Sequence, residues 1–218
     1  MELNKYIEHT MLKPNCTENE IINLCAEAVE HKFYGVCVPP FYVQLAKKAI
    51  KKSDIKIITV IGFPLGYNSV SSKVEETKKA ITSGADEVDM VMNIAAFKSG
   101  DIVSVQNDIQ SVTTACHLQN KHVKVIIETA YLNENEIIQA CKICANCEAD
   151  FVKTSTGFAG IGATIEAVEI MRKTLPTKVK IKAAGGIKDA VFAEKLILAG
   201  ADRIGTSSGV KMLSESIN

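Results

Sequence analysis

Gly84-Ala85-Asp86-Glu87-Val88-Asp89-Met90-Val91 is the stretch that decides how this chain folds. Its glycine ends a helical segment in a left-handed cap, and the chain turns directly into an apolar strand. The same joint returns as Glu148-Ala149-Asp150 before Phe151-Val152-Lys153, and as Gly200-Ala201-Asp202 before Arg203-Ile204-Gly205. A helix–strand joint used three times is not a repeat of solenoid type. It marks strands and helices that alternate in series.

Working outward from these joints, strands are predicted at Tyr6–Thr10, Gly35–Val38, Lys56–Ile61, Glu87–Val91, Val123–Glu128, Phe151–Thr154, Val179–Lys182 and Arg203–Gly205. Runs such as Ile57-Ile58-Thr59-Val60-Ile61 and Val123-Lys124-Val125-Ile126-Ile127 suit strands buried on both faces. Helices fall between them. Thr17 with Glu20 forms a capping box, followed by Ile21, Leu24, Cys25, Ala28 and Val29 at helical spacing. Further helices are predicted at Tyr42–Lys52, Ser71–Ser83, Ser104–Gln119, Glu134–Asn146, Thr164–Lys173 and Ala190–Ala199. Eight strands alternating with helices in 218 residues predict an α/β protein, a (β/α)8 TIM barrel forming a single domain over residues 1–218. A doubly wound open sheet is the structural alternative.

Composition narrows the function. The 25 basic and 25 acidic residues give zero formal net charge. The one local basic cluster, Lys47-Lys48 with Lys51-Lys52, fits a solvated helix face better than a nucleic-acid footprint. No run reaches the length of a membrane span and the N-terminus lacks an apolar signal core, so a cytoplasmic protein is expected, without nucleic-acid or membrane partners. Seven cysteines in that setting are expected to be reduced thiols. Cys141, Cys144 and Cys147 have a spacing that iron–sulfur proteins use. Here they fall on the apolar positions of a helical pattern, and small buried hydrophobes account for them better than metal ligands.

Lys153 and Lys182 stand inside strand-like apolar runs, each ahead of a glycine-containing turn. Burial lowers a lysine's pKa, and a second cation lowers it further, which makes an amine nucleophilic towards a carbonyl. Two surface lysines closing two strands are the bland alternative. Asp89 lies inside the fourth strand, and in a barrel all three could point to the mouth at the strands' carboxyl ends. There, one lysine forms a Schiff base, the other acts as a cation, and the aspartate takes part in proton transfer. A structural carboxylate serving backbone donors is the alternative for Asp89. Gly185-Gly186 and Gly205-Thr206-Ser207-Ser208-Gly209 follow the last two strands, and such turns bring backbone N–H groups and hydroxyls to a phosphate. Lys188 adds charge there, or is a solvated residue opening the next helix.

At this point the chain resembles the deoxyribose-phosphate aldolases, a family of class I aldolases. The matching segments, in family order, are Tyr6-Ile7-Glu8-His9-Thr10, Val60-Ile61-Gly62-Phe63-Pro64-Leu65-Gly66, Gly84 to Asp89, and Val125-Ile126-Ile127-Glu128-Thr129. They continue with Phe151-Val152-Lys153-Thr154-Ser155-Thr156-Gly157-Phe158, Ala184-Gly185-Gly186-Ile187 and Arg203 to Gly209. The resemblance implies a (β/α)8 barrel that reversibly cleaves 2-deoxy-D-ribose 5-phosphate to acetaldehyde and D-glyceraldehyde 3-phosphate without a cofactor or metal. It implies Lys153 as the Schiff-base amine, with Lys182 and Asp89 assisting. It also implies a substrate and phosphate site drawing on Glu8, Thr10, Cys37, Thr156, Gly157, Gly185, Gly186, Lys188, Gly205, Ser207 and Ser208, and a homodimer. Cys37 matches a family position near the substrate but reads better as a small core residue, and His9 reads better as a structural hydrogen-bonding residue than as a catalytic base.

Three departures stand out. Glu8 occupies a position where the family usually has aspartate, so its carboxylate extends one methylene further, towards a substrate hydroxyl or water. Glu148 replaces the usual glycine before the sixth strand. The tail, Ser216-Ile217-Asn218, has no tyrosine of the kind some members use in proton transfer. Two other functions compete: a Schiff-base lyase for another phosphorylated sugar, and a non-catalytic barrel that senses a sugar phosphate.

Overall fold

Successive side chains of a β-strand point to opposite faces, and the strands of this chain sort apolar from charged residues by that rule. The computed structural model describes residues 1–51 and 53–215. Its strands are β1 (Ile7–Thr10), β2 (Gly35–Val38), β3 (Lys56–Ile61), β4 (Glu87–Val91), β5 (His122–Ile126), β6 (Phe151–Lys153), β7 (Lys180–Ala184) and β8 (Arg203–Thr206). They pair in chain order and close into a parallel barrel through β1 and β8, which excludes the open sheet. Val88, Met90, Val123, Val125, Ile181 and Ala183 join one apolar layer shared with the surrounding helices. The alternate positions, Glu87, Asp89, Lys124, Lys153 and Lys182, are buried charged groups. Cys37, Ile58 and Val60 form a separate small apolar cluster.

The helices are α1 (Glu18–Glu30), α2 (Val43–Ile50), α3 (Val70–Ser83), α4 (Ile94–Lys98), α5 (Ile102–His117), α6 (Glu134–Asn146), α7 (Ile165–Thr174), α8 (Ala190–Leu198) and α9 (Gly209–Glu215). Capping boxes open α1, from Thr17 and Glu20, and α6, from Asn133 and Glu136. Each satisfies two backbone donors that the first helical turn would otherwise leave unpaired. The three recurring joints do turn through left-handed backbone, with φ of +112° at Gly84, +58° at Glu148 and +118° at Gly200.

The boundaries differ from expectation where a backbone angle or a tertiary pairing overrides the pattern. Leu3–Tyr6 is a 3₁₀ helix, so β1 starts at Ile7. β5 ends at Ile126, and Glu128, at φ +54°, cannot continue an extended strand. β7 runs on to Ala184, which leaves Lys182 in mid-strand rather than at its end. The short helices α4 and α9 were not expected, having too few residues to show a helical period. Val29 is exposed rather than part of the α1 core face. Lys52, the predicted end of the second helix, and the tail Ser216-Ile217-Asn218 lie outside the described residues.

Cys141 and Cys144 on α6, and Cys147 at its end, are buried free thiols, and burial pushes the Cys141 thiol up to about 12. A buried ion pair fixes the end of β4 from outside the barrel. Lys73 on α3 donates to Asp108 on α5 at 2.6 Å and to the Val91 carbonyl at 2.8 Å, while Asp108 also accepts from the Asn93 N–H. Burial pulls the Lys73 ammonium below its usual value and pushes the Asp108 carboxyl above its own, only partly opposed by their mutual attraction.

Candidate active site

Strand register places the charged side chains in the barrel interior. Lys153 on β6 lies directly beside Lys182 on β7, and Asp89 on β4 directly beside Lys124 on β5. Asp89 then joins the two pairs. Its Oδ2 accepts from Lys153 Nζ at 2.8 Å and from Lys182 Nζ at 2.7 Å, and its Oδ1 from Lys124 Nζ at 3.1 Å. Lys182 also pairs with Glu8, and Lys124 lies 2.5 Å from Glu87 Oε2 and 3.5 Å from Glu8 Oε1. Tyr34 donates its hydroxyl to Glu87 below the network. Three ammonium groups therefore face three carboxylates. Groups desolvated to this degree persist as ions only when each is paired.

The balance of these forces differs from the sequence expectation. Burial pulls Lys182 down, but Asp89 and then Glu8 outweigh it and hold this ammonium above its ordinary value. Burial likewise opposes charge on Asp89, yet Lys124, Lys153 and Lys182 hold its carboxyl well below the usual range. Lys124 is raised well above its ordinary value, its burial outweighed by Asp89, Glu8 and Glu87. The expected lowering is thus reversed at Lys182, because the carboxylates around it matter more than desolvation. Lys182 and Lys124 are standing cations, and Asp89 is an anion at rest, touching Lys153.

A cavity of about 460 Å³ opens at the carboxyl ends of β6, β7 and β8. Thr10, Lys153, Gly185, Gly205, Ser207 and Lys188 line it, together with Thr156, Gly157 and Gly186. Glu8, Asp89 and Lys182 lie beneath its floor, wholly buried. Lys153 is therefore the member of the charged network that reaches the cavity, among the described residues. Gly205 leaves room for the network, since a Cβ there would stand 3.0 Å from Lys182 Cε. Gly162 allows the rim loops to touch, because a Cβ at that position would fall 2.0 Å from the Gly185 carbonyl oxygen.

Backbone donors gather at the cavity. The N–H groups of Gly157, Gly186 and Ser207 meet no acceptor of the protein among the described residues. Two threonine turns set this arrangement. Thr156 Oγ1 accepts from the Phe158 N–H at 3.0 Å, and Thr206 Oγ1 accepts from the Ser208 N–H at 2.9 Å while donating to the Ile187 carbonyl. Such turns fix a loop by local bonding.

Several predicted contacts are redirected by this geometry. Thr156 gives both its N–H and its hydroxyl hydrogen to the Glu128 carboxylate, so it keeps no donor for a phosphate. Glu8 turns inward to Lys182 and Lys124 instead of reaching into the cavity. Cys37 is wholly buried beside Ile58 and Val60, off the cavity wall. Ser208 lies behind Ser207, where its carbonyl accepts from Met212 of α9. His9 pairs with Glu27 at 2.7 Å, in the structural part expected of it.

Sequence reasoning passed over Lys124, Glu87, Glu128 and Lys13. Lys124 and Glu87 carried a readable signal, since each alternates with apolar neighbours as Lys182 does. Lys13 lines the cavity from the loop after β1.

Comparison with known proteins agrees with this architecture. Residues 3–215 match the sequence profile of the DeoC/LacD family aldolases. The deoxyribose-phosphate aldolase of Thermococcus gammatolerans is 51% identical, the alignment covering 100% of this chain and 98% of the relative. That of Brevibacillus brevis is 50% identical over 98% of this chain and 96% of the relative. Among solved structures, an aldolase designated QR15 superposes with a TM-score of 0.94 at 42% identity, covering 100% of this chain and 96% of its own. The tetrameric deoxyribose phosphate aldolase of Aeropyrum pernix superposes with a TM-score of 0.90 at 31% identity, covering 99% and 91%. With its barrel closed and its buried lysines gathered in the interior beneath one mouth, this chain belongs to the DeoC/LacD aldolase family.

Proposed function

We propose that this protein is a deoxyribose-phosphate aldolase that reversibly cleaves 2-deoxy-D-ribose 5-phosphate into acetaldehyde and D-glyceraldehyde 3-phosphate, with Lys153 as the Schiff-base amine. The observation that carries this reading is the contrast between the two neighbouring lysines. Lys153 meets the cavity with Asp89 2.8 Å behind it, whereas Lys182 lies below the floor, held as an ammonium.

The chemistry follows in order. The Lys153 ammonium passes a proton to Asp89, and the amine attacks C1 of the open-chain sugar. Asp89 returns that proton to the carbinolamine oxygen, and loss of water gives a protonated imine. The C3 hydroxyl then gives its proton to a water molecule in the cavity, the C2–C3 bond breaks, and its electron pair enters the imine to form an enamine. Glyceraldehyde 3-phosphate leaves. The enamine takes a proton back from that water at C2, and a second water adds to the imine to release acetaldehyde and free Lys153. Lys182 and Lys124 hold Asp89 as an anion between these proton transfers and keep it aimed at the amine. The phosphate meets the N–H groups of Gly157, Gly186 and Ser207, with Lys188 and Lys13 at the rim.

A cytoplasmic homodimer completes the proposal. Seven free, buried cysteines fit a reducing compartment. An assay coupling aldehyde release to nicotinamide oxidation tests the activity. Cleavage of deoxyribose 5-phosphate, and synthesis from acetaldehyde but not from dihydroxyacetone phosphate, is the expected result. Turnover with dihydroxyacetone phosphate alone would assign a different lyase, and binding without turnover a sensor.

A further inference from the structure

We propose that Glu128 is a positioning residue for the phosphate end of the substrate, acting through Thr156; this rests on the aldolase reading above. Glu128 is buried, lies outside the charged network, and stands in the left-handed region at φ +54°. A residue with a side chain adopts that conformation at a cost, and the surrounding structure must hold it there.

The turn at Glu128 swings its side chain from the end of β5 across to the loop after β6. There its carboxylate accepts the Thr156 N–H, at 3.2 and 3.1 Å to its two oxygens, and the Thr156 hydroxyl. The next residue repeats the link, with the Thr129 N–H donating to the Thr154 carbonyl at 2.9 Å. Thr156 Oγ1 in turn holds the Phe158 N–H. With its neighbours' donors consumed, the Gly157 N–H is the donor of this turn left for a ligand. A charged acceptor bound by two donors fixes orientation more firmly than a neutral one. Glu128 thus aims the Gly157 N–H at an anion in the cavity while remaining outside the bond-breaking chemistry.

The test is a comparison of 2-deoxy-D-ribose 5-phosphate with unphosphorylated 2-deoxy-D-ribose. Glu128→Gln keeps the side chain's shape and removes its charge. It is expected to raise KM for the phosphorylated sugar about tenfold while kcat stays within about twofold, so that selectivity for the phosphate falls about tenfold. An equal loss on both sugars, or no change on either, overturns the proposal. Should Glu128→Gln not fold, Thr156→Val removes the hydroxyl alone. A severalfold rise in KM confined to the phosphorylated sugar, recovered in Thr156→Ser, upholds the role, and kinetics indifferent to both changes overturn it. A wild-type protein that cleaves neither sugar would sink the aldolase reading instead. Calorimetry with inorganic phosphate then decides the role of Glu128. Binding about tenfold weaker in Glu128→Gln upholds it, and equal affinities, or no binding to either form, overturn it.

Discussion

Asp89 touches three ammonium groups with two oxygens, and neither of those oxygens meets water. What keeps so dense a set of charges in the barrel is neutrality, and Lys124 is the member that secures it. Lys124→Met would leave Glu8, Glu87 and Asp89 facing two lysines, and breaking a buried ion network on one side costs about 3–5 kcal/mol. Lys124→Met combined with Glu87→Gln removes one charge of each sign and is expected to recover most of that loss. Urea unfolding of both variants checks this, and a double variant no more stable than the single one would refute it. Lys153, Lys182 and Asp89 were legible in the sequence because a lone charge in an apolar run is conspicuous. Lys124 obeys the same rule but was hidden in a run read as continuously apolar. Glu128 left no such trace, since nothing in Ile126-Ile127-Glu128-Thr129 signals a left-handed glutamate.

At the scale of elements, the joints between helix and strand carry the regularity of the fold and one of its strained positions. Gly84 and Gly200 adopt φ values that glycine reaches freely, but Glu148 occupies the equivalent place at +58°. Its side chain is exposed, so no packing offsets the strain. Left-handed backbone costs an L residue about 1–2 kcal/mol, and glycine returns part of that gain through the entropy of the unfolded chain. Glu148→Gly is therefore expected to stabilise the protein by about 0.5–1 kcal/mol, measured as a higher urea midpoint. A lower midpoint would mean that Glu148 makes a compensating contact. The long elements were readable where local chemistry acts alone: α6 runs over Glu134–Asn146 as its apolar period predicts. The ends of β5 and β7 were not, because the turn at Glu128 and pairing with the neighbouring strands set them.

For the whole molecule, closure of the barrel is what makes the site. β1 pairs with β8, Glu8 beside Gly205, and this brings Glu8 to Lys182 across 174 residues of sequence. Counting eight strands pointed to closure, but no local pattern shows which interior groups then meet. Glu8 is the clearest case, as its carboxylate turns into the network instead of into the cavity. The central claim is that, of the lysines gathered by this closure, Lys153 is the one that bonds to substrate. Borohydride reduction in the presence of 2-deoxy-D-ribose 5-phosphate, followed by peptide mass spectrometry, tests it most directly. A reduced adduct on Lys153, absent from Lys153→Ala, is the predicted result. An adduct on Lys182, or none in protein that still turns the sugar over, would contradict it.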